Sequence, residues 1–126
     1  MAKEHHEELI KGISEQLALI LKKSKQAIYI YLDDTHKVCN ERFAKLLGYK
    51  SAKDWAAIHM PLSDIDEADQ DKVIAAYEKA TEQFMASSLD IALRNIKTNK
   101  LIKARMIIVP MVYMDNVFAI HFLSQI

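Results

Sequence analysis

The chain has 126 residues, 51% of them hydrophobic, which is enough for one domain with an ordinary core and leaves no room for a second. Its 17 basic and 17 acidic side chains cancel, and no basic run interleaved with aromatics appears, so nucleic acid is not an expected partner. The single cysteine, Cys39, excludes an internal disulfide framework and fits the cytoplasm, while the apolar runs are too short for a membrane helix and the N-terminus is charged rather than signal-like.

Residues 4 to about 25 are expected to form an amphipathic helix, because Ile10, Ile13, Leu17 and Ile20 recur at helical spacing and Leu9 and Leu21 widen the stripe. Gly12 costs this helix about 1 kcal/mol of propensity, and two heptads are too few for a free-standing coiled coil. The stripe therefore needs a surface, either the domain's own sheet or a second protomer. Next, Ala27 to Leu32 alternates Ile28, Ile30 and Leu32 against Tyr29 and Tyr31, and a polar turn at 33–36 leads to a short strand ending at Cys39, which reads as a hairpin. Asn40 is suited to cap a helix through Leu47 with Phe43, Leu46 and Leu47 inward, and Gly48 to stop it. After short turns, Asp69 is expected to cap a long helix to about Met85, with Val73, Ile74, Tyr77, Ala80 and Phe84 on its apolar face. Three strands close the chain, at about 87–96, 101–113 and 117–123. The last two are apolar at both parities apart from His121, so something must cover the second face of the sheet.

The segment Asn-Glu-Arg-Phe-Ala-Lys-Leu-Leu-Gly-Tyr (40–49), with Ala-Ile-Tyr-Ile-Tyr-Leu-Asp-Asp before it (27–34) and the helix at 65–80 after it, resembles the PAS domain family over roughly residues 27–124. The resemblance implies an α+β fold: a five-stranded antiparallel sheet with helices on one face, here preceded by the amphipathic helix of residues 1–26. It also implies a sensory role, with a ligand space between sheet and helices. It places Phe118, Ile120 and Phe122 toward that space, together with Ile30, Leu32, Phe43, Leu47, Val73, Ile74 and Tyr77, and His59 at its border. On the same reading Val117, Ala119, His121 and Leu123 face outward.

Two cofactors that the family can hold are disfavoured. The long helix lacks the histidine that haem-binding members use, and the reactive cysteine of the photoactive flavin branch is missing after Gly48-Tyr49, with apolar Phe122 where that branch places a flavin-contacting amide. The cofactor, if any, is left unknown. No metal site is expected. His5 and His6 are adjacent on a helix and point about 100° apart, which is a poor arrangement for chelation; Glu7, Glu8 and His36 are read as solvated polar groups. The acidic residues Asp64, Asp66, Glu67, Asp69 and Asp71 lack the loop spacing and glycine of a calcium hand. Cys39 reads as a small buried hydrophobe.

No nucleophile elbow or phosphate-cradling glycine loop is present, so the chain is not expected to be an enzyme; Tyr77 and Asp90 as an acid and base have nothing to bring them together. The expected function is a cytoplasmic sensory module that dimerises through Ile10, Ile13, Leu17, Ile20 and Leu21 and binds a small molecule. The chain ends at Ser124-Gln125-Ile126 without a visible output segment, which favours slightly an excised piece of a larger receptor acting on a signalling partner. A ligand-free PAS-like interaction scaffold is the rival, and a small pocketed enzyme comes third.

Overall fold

The computed structural model describes the backbone of residues 2–126 and the side chains from His5 onward; Met1, where the expected N-terminal segment begins, lies outside the described residues. The elements run α1 (Ala2–Gln16), α2 (Ala18–Lys23), β1 (Ala27–Asp33), β2 (His36–Cys39), α3 (Glu41–Leu46), α4 (Ala52–Ala56), a 3-10 turn (Pro61–Asp64), α5 (Glu67–Gln83), β3 (Ser87–Arg94), β4 (Leu101–Tyr113) and β5 (Asn116–Gln125). All five strands form one antiparallel sheet in the order β2-β1-β5-β4-β3. The chain thus has the α+β architecture that its element order implies.

The N-terminal helix is interrupted once. Leu17 leaves helical geometry at φ −102° and ψ 12°, yet its N–H still donates to Ile13 O at 2.9 Å. Ser14 Oγ donates back to Ile10 O at 2.6 Å, a bond of the kind that bends helices. Gly12 has a packing reason that outweighs its propensity cost: a Cβ there would stand 2.2 Å from the Tyr113 hydroxyl. The bare backbone lets the Tyr113 ring lie against the helix.

Asn40 does more than cap. Its Oδ1 accepts from Phe43 N at 3.0 Å, as expected, and also from Ile28 N, while its Nδ2 donates to Gln26 O at 2.9 Å. One buried side chain therefore ends β2, starts α3 and pins β1. Gly48 follows α3 at φ +87°, and a Cβ there would also meet Asn95 Oδ1 at 2.7 Å. Asn95 earlier than expected takes β3 out of the sheet, because its Oδ1 accepts from Lys97 N and Thr98 N to form the turn.

Two expectations for α5 are corrected. The helix begins at Glu67, after Asp66. Asp69 lies in its first turn and serves as a tie instead of a cap, accepting from Ala92 N of β3 at 2.8 Å and pairing with Lys72 at 2.8 Å. At the other end Phe84 adopts the left-handed conformation (φ 54°) and is 57% exposed, so it terminates the helix and does not extend its buried face.

The inner sheet face is covered throughout its centre and the outer face over β1 and β5, while Lys103, Arg105 and Ile107 of β4 stay exposed on the outer side. On the inner face Ala27, Tyr29, Ala104, Met106, Ile108, Ala119 and Leu123 pack against Phe43, Leu47, Trp55, Val73, Ala76 and Ala80. On the outer face Ile28, Ile30, Phe118 and Ile120 meet Leu9 and Ile13 of α1, with Leu32, Phe122, Val109 and Met111 around them. The N-terminal helix is the cover that the doubly apolar strands demanded.

This arrangement reverses the parity expected for β1 and β5. Ile30, Leu32, Phe118, Ile120 and Phe122 belong to the layer beneath α1, and His121, expected outside, is inside. Register fixes the swap, since Ile28 pairs with Phe122 and Ile30 with Ile120, while Tyr29 pairs with His121. The purely aliphatic and Phe set packs against a helix stripe. The set with polar tips faces a cavity.

Candidate functional site

A cavity of about 540 Å³ lies between the inner sheet face and the helices. This is within the range of small-molecule sites in proteins, about 300–1,000 Å³. Its floor is built by the inner parity of the central strands, Tyr29, Tyr31, Met106 and His121, with Leu93 beside them. Phe43 and Leu47 of α3, Trp55 of α4, and Val73, Ile74 and Tyr77 of α5 form the walls, and Asp34, Met60, Glu78, Thr81 and Glu82 line it as well. Of the residues expected at a ligand site, the structure brings together Phe43, Leu47, Val73, Ile74 and Tyr77. Ile30, Leu32, Phe118, Ile120 and Phe122 are on the other side of the sheet, and His59 is exposed without lining the cavity.

An aromatic stack organises the floor. Tyr29 and His121 lie ring on ring with centroids 3.9 Å apart and planes 11° from parallel. Tyr77 is nearly parallel to the same imidazole, with centroids 6.2 Å apart, and it meets Tyr31 edge to face. Its hydroxyl donates to Tyr31 O at 3.3 Å, which joins α5 to β1. Burial pushes the phenols of Tyr29, Tyr31 and Tyr77 upward, so all three remain neutral donors at physiological pH.

His121 is 1% exposed. Nδ1–H donates to Tyr29 O at 3.3 Å, which leaves Nε2 as an acceptor. Burial lowers its pKa from 6.5 to about 3, against the smaller opposing effect of backbone hydrogen bonds. The unfolded chain therefore takes up a proton near pH 6.5 that the folded chain refuses until about pH 3. Stability from this group is complete above the higher value and is lost as pH falls through the window between the two. Equilibrium urea unfolding is expected to give a stability about 2 kcal/mol lower at pH 5 than at pH 8, and His121→Phe should remove most of that difference. Equal pH slopes in the two proteins would contradict a buried neutral imidazole.

Two further polar groups bear on what the cavity can hold. Asp64 is buried and accepts from the Tyr49 hydroxyl at 2.5 Å; burial raises its pKa, and the Tyr49 bond opposes the rise. Trp55 is 1% exposed, and its indole N–H has no acceptor among the described residues. A buried donor without a partner costs about 1–3 kcal/mol, so an acceptor brought by a bound molecule would be rewarded here. Cys39, by contrast, is a buried thiol pushed up to about 12 by desolvation first and by Glu41 second, which suits packing and not reactivity.

The acid and base considered from sequence stay apart. Asp90 pairs with Arg105 at 2.8 Å and 3.3 Å on β3 and β4, opposite the parity that faces the cavity, whereas Tyr77 is inside. Among the lining residues that pattern reading missed are Trp55, Tyr29, Tyr31, Met106 and His121. The signal for three of them was polar-tipped rings at a single parity, Tyr29, Tyr31 and His121.

No family model matches the sequence, and no curated protein matches it. Solved structures do. A PAS domain of a Colwellia psychrerythraea protein superposes with a TM-score of 0.68 at 19% identity, covering 90% of this chain and 97% of that one. The PAS domain of a two-component sensor histidine kinase gives 0.66 at 14% identity, over 92% and 99%. A PAS domain from Desulfitobacterium hafniense gives 0.65 at 18%, over 86% and 99%. At such identities the likeness is one of fold, and the chain has a PAS fold.

Proposed function

We propose that this PAS-fold chain is a non-enzymatic sensory module of the cytoplasm that binds a small, largely apolar planar molecule between the sheet and α5. The cavity carries the reading: its walls are mostly apolar, its floor holds a parallel aromatic stack, and its carboxylates Glu78 and Glu82 are exposed on α5. A flat ligand would stack against Tyr29, His121 and Tyr77 and offer an acceptor to the unpaired Trp55 N–H. The Tyr77 bond to Tyr31 O is the joint through which occupancy would reach β1, and β1 carries on its opposite face the contacts that hold α1. Ligand binding would thus bias how the N-terminal helix packs, which is a population shift between two packings.

The same reading includes a homodimer and a signalling partner. While α1 is docked, Leu9 and Ile13 are buried within the protomer, so the expected dimer stripe is divided. Of that stripe Ile20 (47% exposed) remains for a partner copy, and Leu19 (66% exposed), outside the expected stripe, joins it. PAS domains of sensor kinases such as the one matched here support this signalling role by analogy of fold.

Native mass spectrometry of freshly purified protein, compared with its denatured mass, tests the ligand directly. Extra non-covalent mass is expected, and Thr81→Trp, which narrows the cavity from α5, should abolish it. A bare protein after mild purification and incubation with cell extract would favour the ligand-free scaffold instead.

A further inference from the structure

We propose that His6, Asp33 and His36 form a binding site for one transition-metal dication of the zinc class, which would fasten α1 to the β1–β2 hairpin. The inference is independent of the ligand reading above, because these residues lie outside the cavity lining. One donor atom from each of the three side chains lies within 4.8 Å of the other two. His6 Nδ1 is 2.5 Å from Asp33 Oδ2, and His36 Nδ1 is 2.8 Å and 3.0 Å from the two oxygens of the same carboxylate. The two imidazoles come from elements 30 positions apart and meet edge to face, with centroids at 5.8 Å.

The surroundings supply what a metal site needs beyond its ligands. Asp33 Oδ1 also accepts from Thr35 N and Thr35 Oγ1, at 3.0 Å and 3.1 Å, so the carboxylate is held in place. The His36 side chain is 8% exposed, and Glu7 Oε1 stands 3.8 Å from its Nε2. At 3.8 Å Glu7 is beyond hydrogen-bond reach as it stands, and it would close on Nε2 to act as the outer carboxylate that orients a ligating histidine. His6, on the opposite side, is about one-third exposed and is free to adjust.

Donor chemistry selects the ion. Two imidazoles and one carboxylate suit zinc, cobalt or nickel, whereas calcium and magnesium call for oxygen ligands. Bonds of about 2.0–2.2 Å to the metal put tetrahedral ligand atoms about 3.3 Å apart. The two His–Asp spacings are hydrogen-bond spacings and open by under about 1 Å as the ion replaces the shared protons, while the three donor atoms, now within 4.8 Å of one another, settle around it by adjustment of His6. Water fills the fourth position. His5 takes no part, since the donor atoms that gather here are those of His6, Asp33 and His36.

The alternative is a metal-free His–Asp–His cluster that only fastens the helix. Untagged full-length protein, stripped with EDTA, is titrated with Co²⁺ by visible absorption and with Zn²⁺ by calorimetry. One equivalent is expected to bind, with the intense d–d bands of a four-coordinate cobalt site and a rise in melting temperature. H6A, whose side chain is partly exposed, and D33N should each weaken binding at least tenfold, E7Q should weaken it by about tenfold as an outer partner, and H5A should leave it within about twofold. Circular dichroism establishes that each variant is folded. Absence of saturable binding at one equivalent, or a loss in H5A equal to that in H6A, overturns the site.

Discussion

Replacing Ile13 with Asp is expected to lower stability by about 3–5 kcal/mol and to strip α1 from the sheet. Ile13 is 1% exposed, in a cluster with Leu9, Ile28, Ile30, Phe118 and Ile120. Removing a buried aliphatic side chain costs about 2–5 kcal/mol, and a carboxylate cannot remain in that layer unpaired. The helix therefore leaves, and four large apolar side chains of the central strands meet water. Urea unfolding should show the loss, and gel filtration should show association through the bared face. Leu19→Asp, at a position 66% exposed, should change monomer stability by less than about 0.5 kcal/mol and act only on a dimer. An Ile13→Asp protein as stable as the wild type would remove α1 from the core.

Lys37→Met is the second large effect, at about 3 kcal/mol. Lys37 is 3% exposed, and its ammonium donates to the carbonyls of Asp34, Ala56 and Ile58 while lying 5.3 Å from the centroid of the Trp55 ring. These bonds close the β1–β2 turn and satisfy carbonyls at the end of α4, where the helix dipole is negative. Burial lowers the lysine pKa, and Asp34 and Asp33 counter it. Methionine keeps the stem and removes every donor, so the carbonyls lose their partner. Guanidinium unfolding would measure the loss, and exposed Lys53→Met on α4 is the control, expected within about 0.5 kcal/mol. If both substitutions cost the same, the ammonium is not what joins the hairpin to α4.

Lys37 also shows where pattern reading stops. A lysine between a polar turn and a short strand looks like solvated surface, and only the approach of α4, 19 residues away, gives its ammonium carbonyls to bind. His36 is similar: the polar turn was legible, whereas its meeting with His6 across 30 positions was not. Asp69 was expected as the cap and lies instead within the first turn of the helix, where its partner is a strand N–H that local sequence does not reveal.

Among the elements, those set by short-range chemistry were readable. Asn40 as a cap, Gly48 as a stop, the turn after β1 and the period of α5 all follow from interactions within about five residues. The N-terminal stripe announced a helix that needed a surface, and two strands apolar at both parities announced a sheet that needed a second cover. Which parity faced which cover was expected the wrong way round, because Ile28, Ile30, Leu32 and Tyr29, Tyr31 are both hydrophobic enough to be inside. Strand periodicity gives two sets and no sign. The tertiary structure decided the sign by shape and polarity: the aliphatic set packs against Leu9 and Ile13, and Tyr29, Tyr31 and His121 border the cavity, where the Tyr31 hydroxyl finds the Asp34 carboxylate and the imidazole finds the Tyr29 carbonyl.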